Sequence, residues 1–257
     1  MRKTPEARQA IVRGIPATFG RCLRKDTLAR IDVDRAKMQH DQYCQLLSTF
    51  KITVTRMAAD DTLPDCCFVE DPVLVIDDRA IILSMGAPSR AGEGALIGRT
   101  LSAHKRVVNI RPPATLEGGD VLRIGTRLYV GLSERSNREG LEALRALVAD
   151  DGFEVVGVEL DNVIHLKAVC SYLGDSHILL CPGYLDESVF ADYERIEVPA
   201  EEAYGANSLA INGKVLVAEG FPKTKMRIEK SGFETVACAM SEFRKADGGL
   251  SCLSVRF

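Results

Sequence analysis

The sequence lacks the long apolar run that a membrane-spanning helix needs, since none of its apolar stretches approaches about 18 residues. Residues 1–5 also lack the apolar core of a secretory signal peptide. Eight cysteines are present, yet no two of them form a C-x-x-C pair. That spacing disfavours a zinc site and a disulfide framework, and it predicts a reduced, cytoplasmic protein.

An excess of positive charge is also missing, because the formal net charge is −3. A chain of this charge is a poor partner for nucleic acid or for an anionic membrane, and its substrate is expected to be cationic instead. With 46% apolar residues in 257, the chain can bury one large core. We therefore expect residues 1–257 to form a single domain.

The stretch 116–132 predicts a β-hairpin, because two apolar runs, 121–124 and 128–130, flank the turn pair Gly125-Thr126. The same order of a polar residue, an apolar run, a turn and a second apolar run occurs three more times. The polar residues that head the four copies are Glu70 with Asp71, Glu117, His165 and Asn207. They recur every 42 to 48 residues, an interval typical of repeated supersecondary units.

Helix and strand patterns alternate with these hairpins. The predicted helices are 33–50, 94–104, 137–150, 185–193 and 224–230, and the predicted single strands are 52–55, 106–110, 154–160, 195–198 and 234–239. Asp32 is placed to cap the first helix. The last segment offers one strand, and pairing 250–256 with 10–14 would complete a fifth unit and remove open sheet edges.

These repeats predict an α/β fold: a five-bladed α/β propeller of hairpin-helix-strand units, closed by its terminal strands, with the polar heads facing a central hole. The alternative is an ordinary α+β domain in which the repeats arise by chance.

Three of the heads have the composition of a covalent catalytic site. A thiolate needs a positive or proton-accepting neighbour, and a histidine needs an acceptor that fixes its tautomer. Cys252, His165 and Glu117 supply these groups from three separate units. Taken singly each has an ordinary explanation, since a cysteine in an apolar strand is usually a small buried hydrophobe. Together they predict a nucleophile, an acid/base and an orienting carboxylate.

The carboxylates near the heads suit a substrate with delocalised positive charge, because a carboxylate accepts two hydrogen bonds from a planar guanidinium. They are Asp65, Glu70, Asp71, Asp120 and Asp247. Neighbours in a strand face opposite ways, so only one of Glu70 and Asp71 is expected to face a given pocket. Arg90 and Arg135 each follow a hairpin and are candidates to clamp a substrate carboxylate, although such arginines are most often surface residues.

Six motifs in order make the chain resemble the dimethylarginine dimethylaminohydrolases, a branch of the guanidino-group-modifying enzymes with the five-bladed pentein fold. They are D-C-C-F-V-E-D, G-A-P-S-R, L-E-G-G-D, G-L-S-E-R-S-N, H-L-K and D-G-G-L-S-C-L-S. The resemblance covers nearly the whole chain, and the arginine and agmatine deiminases of the same superfamily are considerably longer. It implies that Cys252 is the nucleophile, His165 the general acid/base and Glu117 its partner.

The resemblance also implies a set of substrate-binding residues. Asp71 and Asp247 would hold the guanidinium, Asp65 and the carbonyl of Leu23 the α-amino group, and Arg90 with Arg135 the α-carboxylate. Ala246, next to Asp247, completes the set, and Glu70 belongs to the motif without an assigned contact.

The reaction that this implies is hydrolysis of dimethylarginine or monomethylarginine to L-citrulline and dimethylamine or methylamine. It runs through a covalent thiouronium on Cys252 and needs no metal or organic cofactor. Alternatives are an arginine deiminase-like hydrolase, an amidinotransferase, and a non-catalytic propeller scaffold such as the ribosome anti-association factor that shares the fold. The partner expected is a small cationic amino acid, and the protein itself is expected to form a homodimer.

Overall fold

The computed structural model describes residues 4–257 and arranges the strands of that range in five three-stranded sheets. The strands are β1 Gln9–Arg13, β2 Thr53–Met57, β3 Val73–Ile76, β4 Arg79–Ile82, β5 Arg106–Asn109, β6 Val121–Ile124, β7 Arg127–Leu132, β8 Glu154–Glu159, β9 Cys170–Gly174, β10 His177–Leu180, β11 Glu194–Glu197, β12 Leu209–Ile211, β13 Lys214–Ala218, β14 Glu234–Cys238 and β15 Val255–Arg256. The sheets are β15-β1-β2, β3-β4-β5, β6-β7-β8, β9-β10-β11 and β12-β13-β14. In each sheet the central strand pairs antiparallel with one neighbour and parallel with the other. This is the five-bladed α/β propeller that the repeats predict.

The helices lie between the second and third strands of the blades or close to the site. They are α1 Val33–Thr49, α2 Gly94–Leu101, α3 Arg138–Leu147, α4 Pro222–Lys230 and the single turn α5 Ser241–Arg244. Asp32 caps α1 as predicted, because its side chain accepts a hydrogen bond from Arg35 N at 3.0 Å. None of the helices in residues 4–257 combines the length and the apolar character needed to cross a membrane.

The helix predicted at 185–193 is wrong, since the segment forms only the 3-10 turn Glu187–Phe190. Asp186 explains the difference, because its carboxylate accepts a hydrogen bond from Ser188 N only two residues later. Such a local side-chain bond favours a tight turn over a helix.

The four predicted hairpins form because their turns begin with a residue at positive φ. The first turn residues are Asp77, Gly125, Asp175 and Asn212, with φ between 44° and 61°. Glycine, aspartate and asparagine enter this left-handed region most readily, which matches their place in the sequence.

The fifth blade is smaller than predicted. Within the segment 250–256 only β15 is a strand, and it pairs with β1 at Ala10 and Ile11. The predicted strand is wrong over its first part, which forms the 3-10 turn Ser251–Leu253. Asn207 holds this turn, because its side chain accepts from Ser251 N at 3.0 Å and donates to Ser251 Oγ at 3.0 Å. The backbone of Ser251 is thereby bound to a neighbouring head instead of to a strand.

Two cavities share the axis of the ring. One, of about 880 Å³, lies where the hairpin turns Asp77, Gly125 and Asp175 meet. The other, of about 50 Å³, lies at the opposite end among the heads. Lys167 and Ser251 line both cavities and therefore form part of the wall between them.

Candidate active site

Glu117 and His165 meet at the head end of the ring. Each stands immediately before a short 3-10 turn, Gly118–Asp120 and Leu166–Ala168. Nε2 of His165 lies 2.7 Å from Oε2 of Glu117, a carboxylate that is fully buried. The carboxylate can only accept, so Nε2 carries the proton and Nδ1 is left to face the pocket.

The environment of His165 favours its imidazolium. Burial alone would lower its pKa, but the carboxylates of Asp71, Asp120 and Glu117 outweigh it and raise the pKa of His165 to about 9. At neutral pH this histidine is therefore protonated.

Asp120 acts on His165 through the backbone of the next residue and does not take the place of Glu117. Its oxygens accept hydrogen bonds from Ser133 Oγ at 2.7 Å, Ser136 Oγ at 2.6 Å and Leu166 N at 2.9 Å. The last bond holds the residue after His165, so Asp120 fixes the turn from which the imidazole projects.

The two glycines of L-E-G-G-D allow the heads to approach one another. A Cβ on Gly118 would lie 2.0 Å from the carbonyl oxygen of Glu70. A Cβ on Gly119 would lie 2.6 Å from Nδ1 of His165 and 2.9 Å from Oδ1 of Asp71. Any side chain at either position would therefore push the heads apart.

Cys252 lies in the middle of the turn Ser251–Leu253 and not in the strand that the sequence predicts. Its Sγ is 3.4 Å from Gly249 N, and it lines the 50 Å³ pocket together with His165 and Asp247. Burial, followed by the nearby carboxylates of Asp71 and Glu70, raises the pKa of the Cys252 thiol to about 12. The pocket is thus lined by a neutral thiol and an imidazolium.

Asp71 and Arg90 form a buried ion pair, with Nη1 of Arg90 2.9 Å from Oδ2 of Asp71. Arg90 also donates to both carboxylate oxygens of Glu93, at 2.8 to 3.1 Å. Most of its N–H groups are therefore already bound within the protein. Oδ1 of Asp71 is buried without a hydrogen-bond partner and lies 3.9 Å from Nδ1 of His165.

Of the two arginines predicted to bind the substrate carboxylate, Arg135 is held less tightly by other groups of the protein than Arg90. Its side chain is 22% exposed, and Nη1 lies 3.9 Å from Oε1 of Glu117. The backbone of Gly86 packs closely against the backbone of Arg135, since a Cβ on Gly86 would lie 2.5 Å from the Arg135 carbonyl oxygen.

Glu70 and Asp71 do point in different directions, as the sequence suggested, although they lie in a turn and not in a strand. Oε1 of Glu70 is 2.7 Å from Nζ of Lys167 and 3.0 Å from Nη2 of Arg256. Glu70 therefore lines the larger cavity, beside Lys167. Its backbone N–H also donates to the carbonyl oxygen of Cys252 at 3.2 Å.

The loop that carries Leu23 packs against the protein carboxylates that are predicted to bind the substrate. Leu23 N donates to Asp65 Oδ1 at 3.0 Å, and Lys25 N donates to Asp247 Oδ2 at 2.6 Å. Ala246 is buried in the core beside this contact. The loop is thus held by the acidic groups that the resemblance assigns to the substrate.

Asp71, Glu117 and His165 could each offer one ligand atom to a metal ion, since these atoms lie within 4.8 Å of one another. Oδ2 of Asp71 and Oε2 of Glu117 are engaged otherwise, however, because Arg90 pairs with the first and the imidazole donates to the second. A compact divalent ion at this point would also lie close to the Arg90 guanidinium, which disfavours a metal here.

Glu93 and Lys167 were missed by the sequence analysis as residues of the site. Lys167 stands in H-L-K, two residues after His165, and Glu93 stands three residues after Arg90. Three residues apart is the spacing of side chains that meet on a helical turn, and this signal could have found Glu93.

Comparisons with known proteins agree with this geometry. A family model described as N,N dimethylarginine dimethylhydrolase, eukaryotic, matches residues 22–255. A relative from Pseudomonas aeruginosa, named N(G),N(G)-dimethylarginine dimethylaminohydrolase, is 36% identical over 237 residues, which cover 91% of this chain and 93% of that protein.

Two solved structures extend the comparison to the fold. One is a cysteine-to-serine variant of the Pseudomonas aeruginosa enzyme in complex with citrulline, with a TM-score of 0.93, 34% identity, and coverage of 98% of this chain and 100% of that one. The other is a histidine-to-glycine variant of a dimethylarginine dimethylaminohydrolase as an adduct with S-methyl-L-thiocitrulline, with a TM-score of 0.94, 34% identity and the same coverage. The chain therefore belongs to the dimethylarginine dimethylaminohydrolase family of the pentein superfamily.

Proposed function

We propose that this protein hydrolyses N-omega-methylated arginines to L-citrulline and a methylated amine through a covalent intermediate on Cys252. The observation that carries the proposal is the Glu117–His165 contact of 2.7 Å at a pocket that Cys252 also lines. Membership of the family supports it, as do the citrulline complex and the thiocitrulline adduct of its relatives.

The guanidinium of the substrate would bind to Asp71 and Asp247. Oδ1 of Asp71 is a buried acceptor without a partner, so a substrate N–H group would satisfy it. Asp65 would receive the α-amino group, and Arg135 would be the main contact of the α-carboxylate. Arg90 would contribute to that contact only with the N–H group that Glu93, Asp71 and the Phe68 carbonyl oxygen leave free.

Substrate entry requires the Leu23 loop to move. The pocket of about 50 Å³ is far smaller than the roughly 300–1,000 Å³ typical of ligand pockets. We infer that opening breaks the bonds from Leu23 N to Asp65 and from Lys25 N to Asp247. The substrate's ammonium and guanidinium then replace these backbone donors, so the carboxylates stay paired.

The first half of the reaction transfers the amidine carbon to sulfur. The bound guanidinium lowers the pKa of Cys252, and the thiol releases its proton to solvent, because His165 is already protonated. The thiolate attacks the central guanidinium carbon and gives a tetrahedral adduct. Nδ1 of protonated His165 then donates its proton to the methylated nitrogen, the C–N bond breaks, and dimethylamine or methylamine leaves a thiouronium.

The second half of the reaction hydrolyses the thiouronium and frees the Cys252 sulfur. His165, now neutral, accepts a proton from a water molecule whose oxygen attacks the same carbon. The C–S bond breaks, the hydroxyl proton of the tetrahedral adduct passes to the departing sulfur, and L-citrulline is released. Cys252 and His165 thereby regain their starting protonation. Glu117 stabilises the imidazolium in both halves.

The direct test of the substrate is turnover by the purified protein with arginine, monomethylarginine and asymmetric dimethylarginine, measuring both citrulline and dimethylamine. We expect citrulline from the methylated substrates with one equivalent of methylated amine. Citrulline from unmethylated arginine alone would identify an arginine deiminase-like enzyme. Transfer of the amidino group to an added amine without citrulline would identify an amidinotransferase. The absence of any product would indicate a non-catalytic scaffold.

The homodimer and the cytoplasmic location stay predictions. Light scattering of the protein eluting from a sizing column tests the first, and fractionation of cells that produce it tests the second.

A further inference from the structure

A buried row of charges runs into the site from the start of α2. Glu93, Arg90 and Asp71 are joined end to end, and their side chains are only 2%, 6% and 4% exposed. Arg90 stands in the 3-10 turn Pro88–Arg90, and Glu93 immediately precedes the helix. Glu93 is not among the residues that line the pocket of His165 and Cys252.

The contacts within the row fix the orientation of Asp71. The edge of the Arg90 guanidinium formed by Nε and Nη2 faces both oxygens of Glu93, at 2.8 to 3.1 Å. This two-point fork allows the guanidinium one orientation, in which Nη1 meets Oδ2 of Asp71 at 2.9 Å. Oδ1 of Asp71 is consequently the free oxygen, and it faces Nδ1 of His165.

Glu93 also balances charge near the imidazole. Arg90 Nη1 lies 4.0 Å from Oε2 of Glu117, the oxygen that binds His165. An Arg90 without its fork would be free to turn toward that oxygen and compete for it. The charged groups that face His165 are Asp71, Asp120 and Glu117, and those that face Glu93 are Arg90, Asp65 and Asp71.

We propose that Glu93 is a positioning residue for the hydrolysis: by holding Arg90 in its fork, it presents Oδ1 of Asp71 to the substrate guanidinium and keeps Arg90 away from the Glu117–His165 pair. The inference rests on the proposed function. It assigns Arg90 chiefly to the carboxylates of the protein, with the α-carboxylate of the substrate left mainly to Arg135.

Glu93→Gln tests this role, because it keeps the shape but removes the charge and one acceptor of the fork. We expect kcat/KM for dimethylarginine to fall by up to roughly 100-fold, with a rise in KM, because the acceptor of the guanidinium is misplaced. The basic limb of the pH profile, which reports protonated His165, should shift to lower pH, because a negative charge is lost and Arg90 approaches Glu117. The profile is measured from pH 7 upward.

Two further variants separate positioning from stability. Glu93→Asp retains the charge, so its basic limb should return toward the wild-type position. Glu202→Gln is a matched control, since Glu202 is also a buried carboxylate but accepts hydrogen bonds from Lys223 N and Thr224 N at the start of α4. That variant should lower the melting temperature and leave the pH limb unchanged.

The outcomes are decisive in each case. A Glu93→Gln protein with the wild-type KM and pH limb, or one that resembles Glu202→Gln, would overturn the inference. If Glu93→Gln does not fold, Glu93→Asp serves as the test instead. A basic limb of the pH profile that is shifted in this charged variant would contradict the positioning role of Glu93. A wild-type protein without turnover would instead overturn the proposed function, so the two failures are distinguishable.

Discussion

The sulfur of Cys252 is the atom on which the covalent route depends. Cys252→Ser should reduce citrulline formation by at least roughly 1,000-fold, because the hydroxyl is a far weaker nucleophile at this position. The substitution is nearly isosteric, so the free energy of unfolding should change by no more than about 1 kcal/mol. Steady-state kinetics and denaturant unfolding check the two parts. Turnover near the wild-type rate would remove Cys252 from the mechanism.

Glu117 is expected to set the protonation of His165. Glu117→Gln removes one of three carboxylates that raise the pKa of His165 to about 9, so the imidazolium should lose its proton at lower pH. We expect kcat to fall by roughly 100- to 10,000-fold with a smaller change in KM, since the departing amine receives its proton more slowly. The pH–rate limb near 9 should shift downward but persist, because Asp71 and Asp120 remain.

A thiol probe gives the control for this variant. Cys252 is untouched, so it should still be labelled in the Glu117→Gln protein. An unchanged kcat and pH profile would show that Glu117 merely supports its hairpin.

At this scale the sequence predicted the residue types better than their contacts. In the structure Cys252 and His165 line one pocket and Glu117 contacts His165, and the roles of these residues stay predictions. Arg90 could not be understood without Glu93, because whether a guanidinium faces the protein or the solvent depends on three-dimensional packing. The same holds for Glu70, whose partners Lys167 and Arg256 lie far from it in the sequence.

The turn Gly118–Asp120 is the element that brings the heads into contact. Gly119→Ala would place a Cβ 2.6 Å from Nδ1 of His165, so the imidazole or the turn must shift. We expect kcat/KM to fall by roughly 10- to 100-fold, as small displacements of catalytic groups do.

Gly125→Ala is the matched control for that substitution. Gly125 has φ +61° in a hairpin turn, with open space around its Cβ position. It should cost about 1 kcal/mol of stability through backbone strain and leave kcat/KM unchanged. Steady-state kinetics of both variants test this prediction. Equal values of kcat/KM would mean that the close approach of Gly119 has no catalytic role.

The elements themselves were largely predictable, because apolar periodicity and turn residues act locally. Helix α1, with its Asp32 cap and buried Ala36, Tyr43 and Leu47, agrees closely with its pattern. The segment 250–253 was predicted as strand because it is apolar. The side chain of Asn207, which captures Ser251, overrides that local preference, and no local pattern contains this information.

The whole molecule is a ring closed by joining its two ends, β15 to β1. Arg256 in β15 strengthens the closure, since its Nη1 donates to the carbonyl oxygens of Ser251 and Ser254, while its Nη2 donates to Glu70. The closure thus ties the strand to the turn that carries Cys252 and to Glu70. We propose that the ring unfolds as one domain.

Arg256→Met tests the closure. It removes one partner of a buried carboxylate, so the free energy of unfolding should fall by about 3 kcal/mol. Arg127→Met is the control, because Arg127 forms exposed ion pairs with Glu154 and Asp192 whose loss should change the free energy of unfolding far less. Urea unfolding followed by circular dichroism should show one transition in every variant. Two transitions, with only one of them shifted by Arg256→Met, would contradict a single cooperative ring.

The most direct test of the account is to trap the intermediate. Wild-type protein is mixed with asymmetric dimethylarginine in heavy-oxygen water, quenched with acid within one turnover, and digested for peptide mass spectrometry. We predict an adduct with the mass of the substrate minus dimethylamine on the peptide that contains Cys252, and citrulline whose ureido oxygen comes from the solvent. Citrulline that forms while Cys252 stays unmodified at every quench time, or an adduct on a different cysteine, would contradict the account.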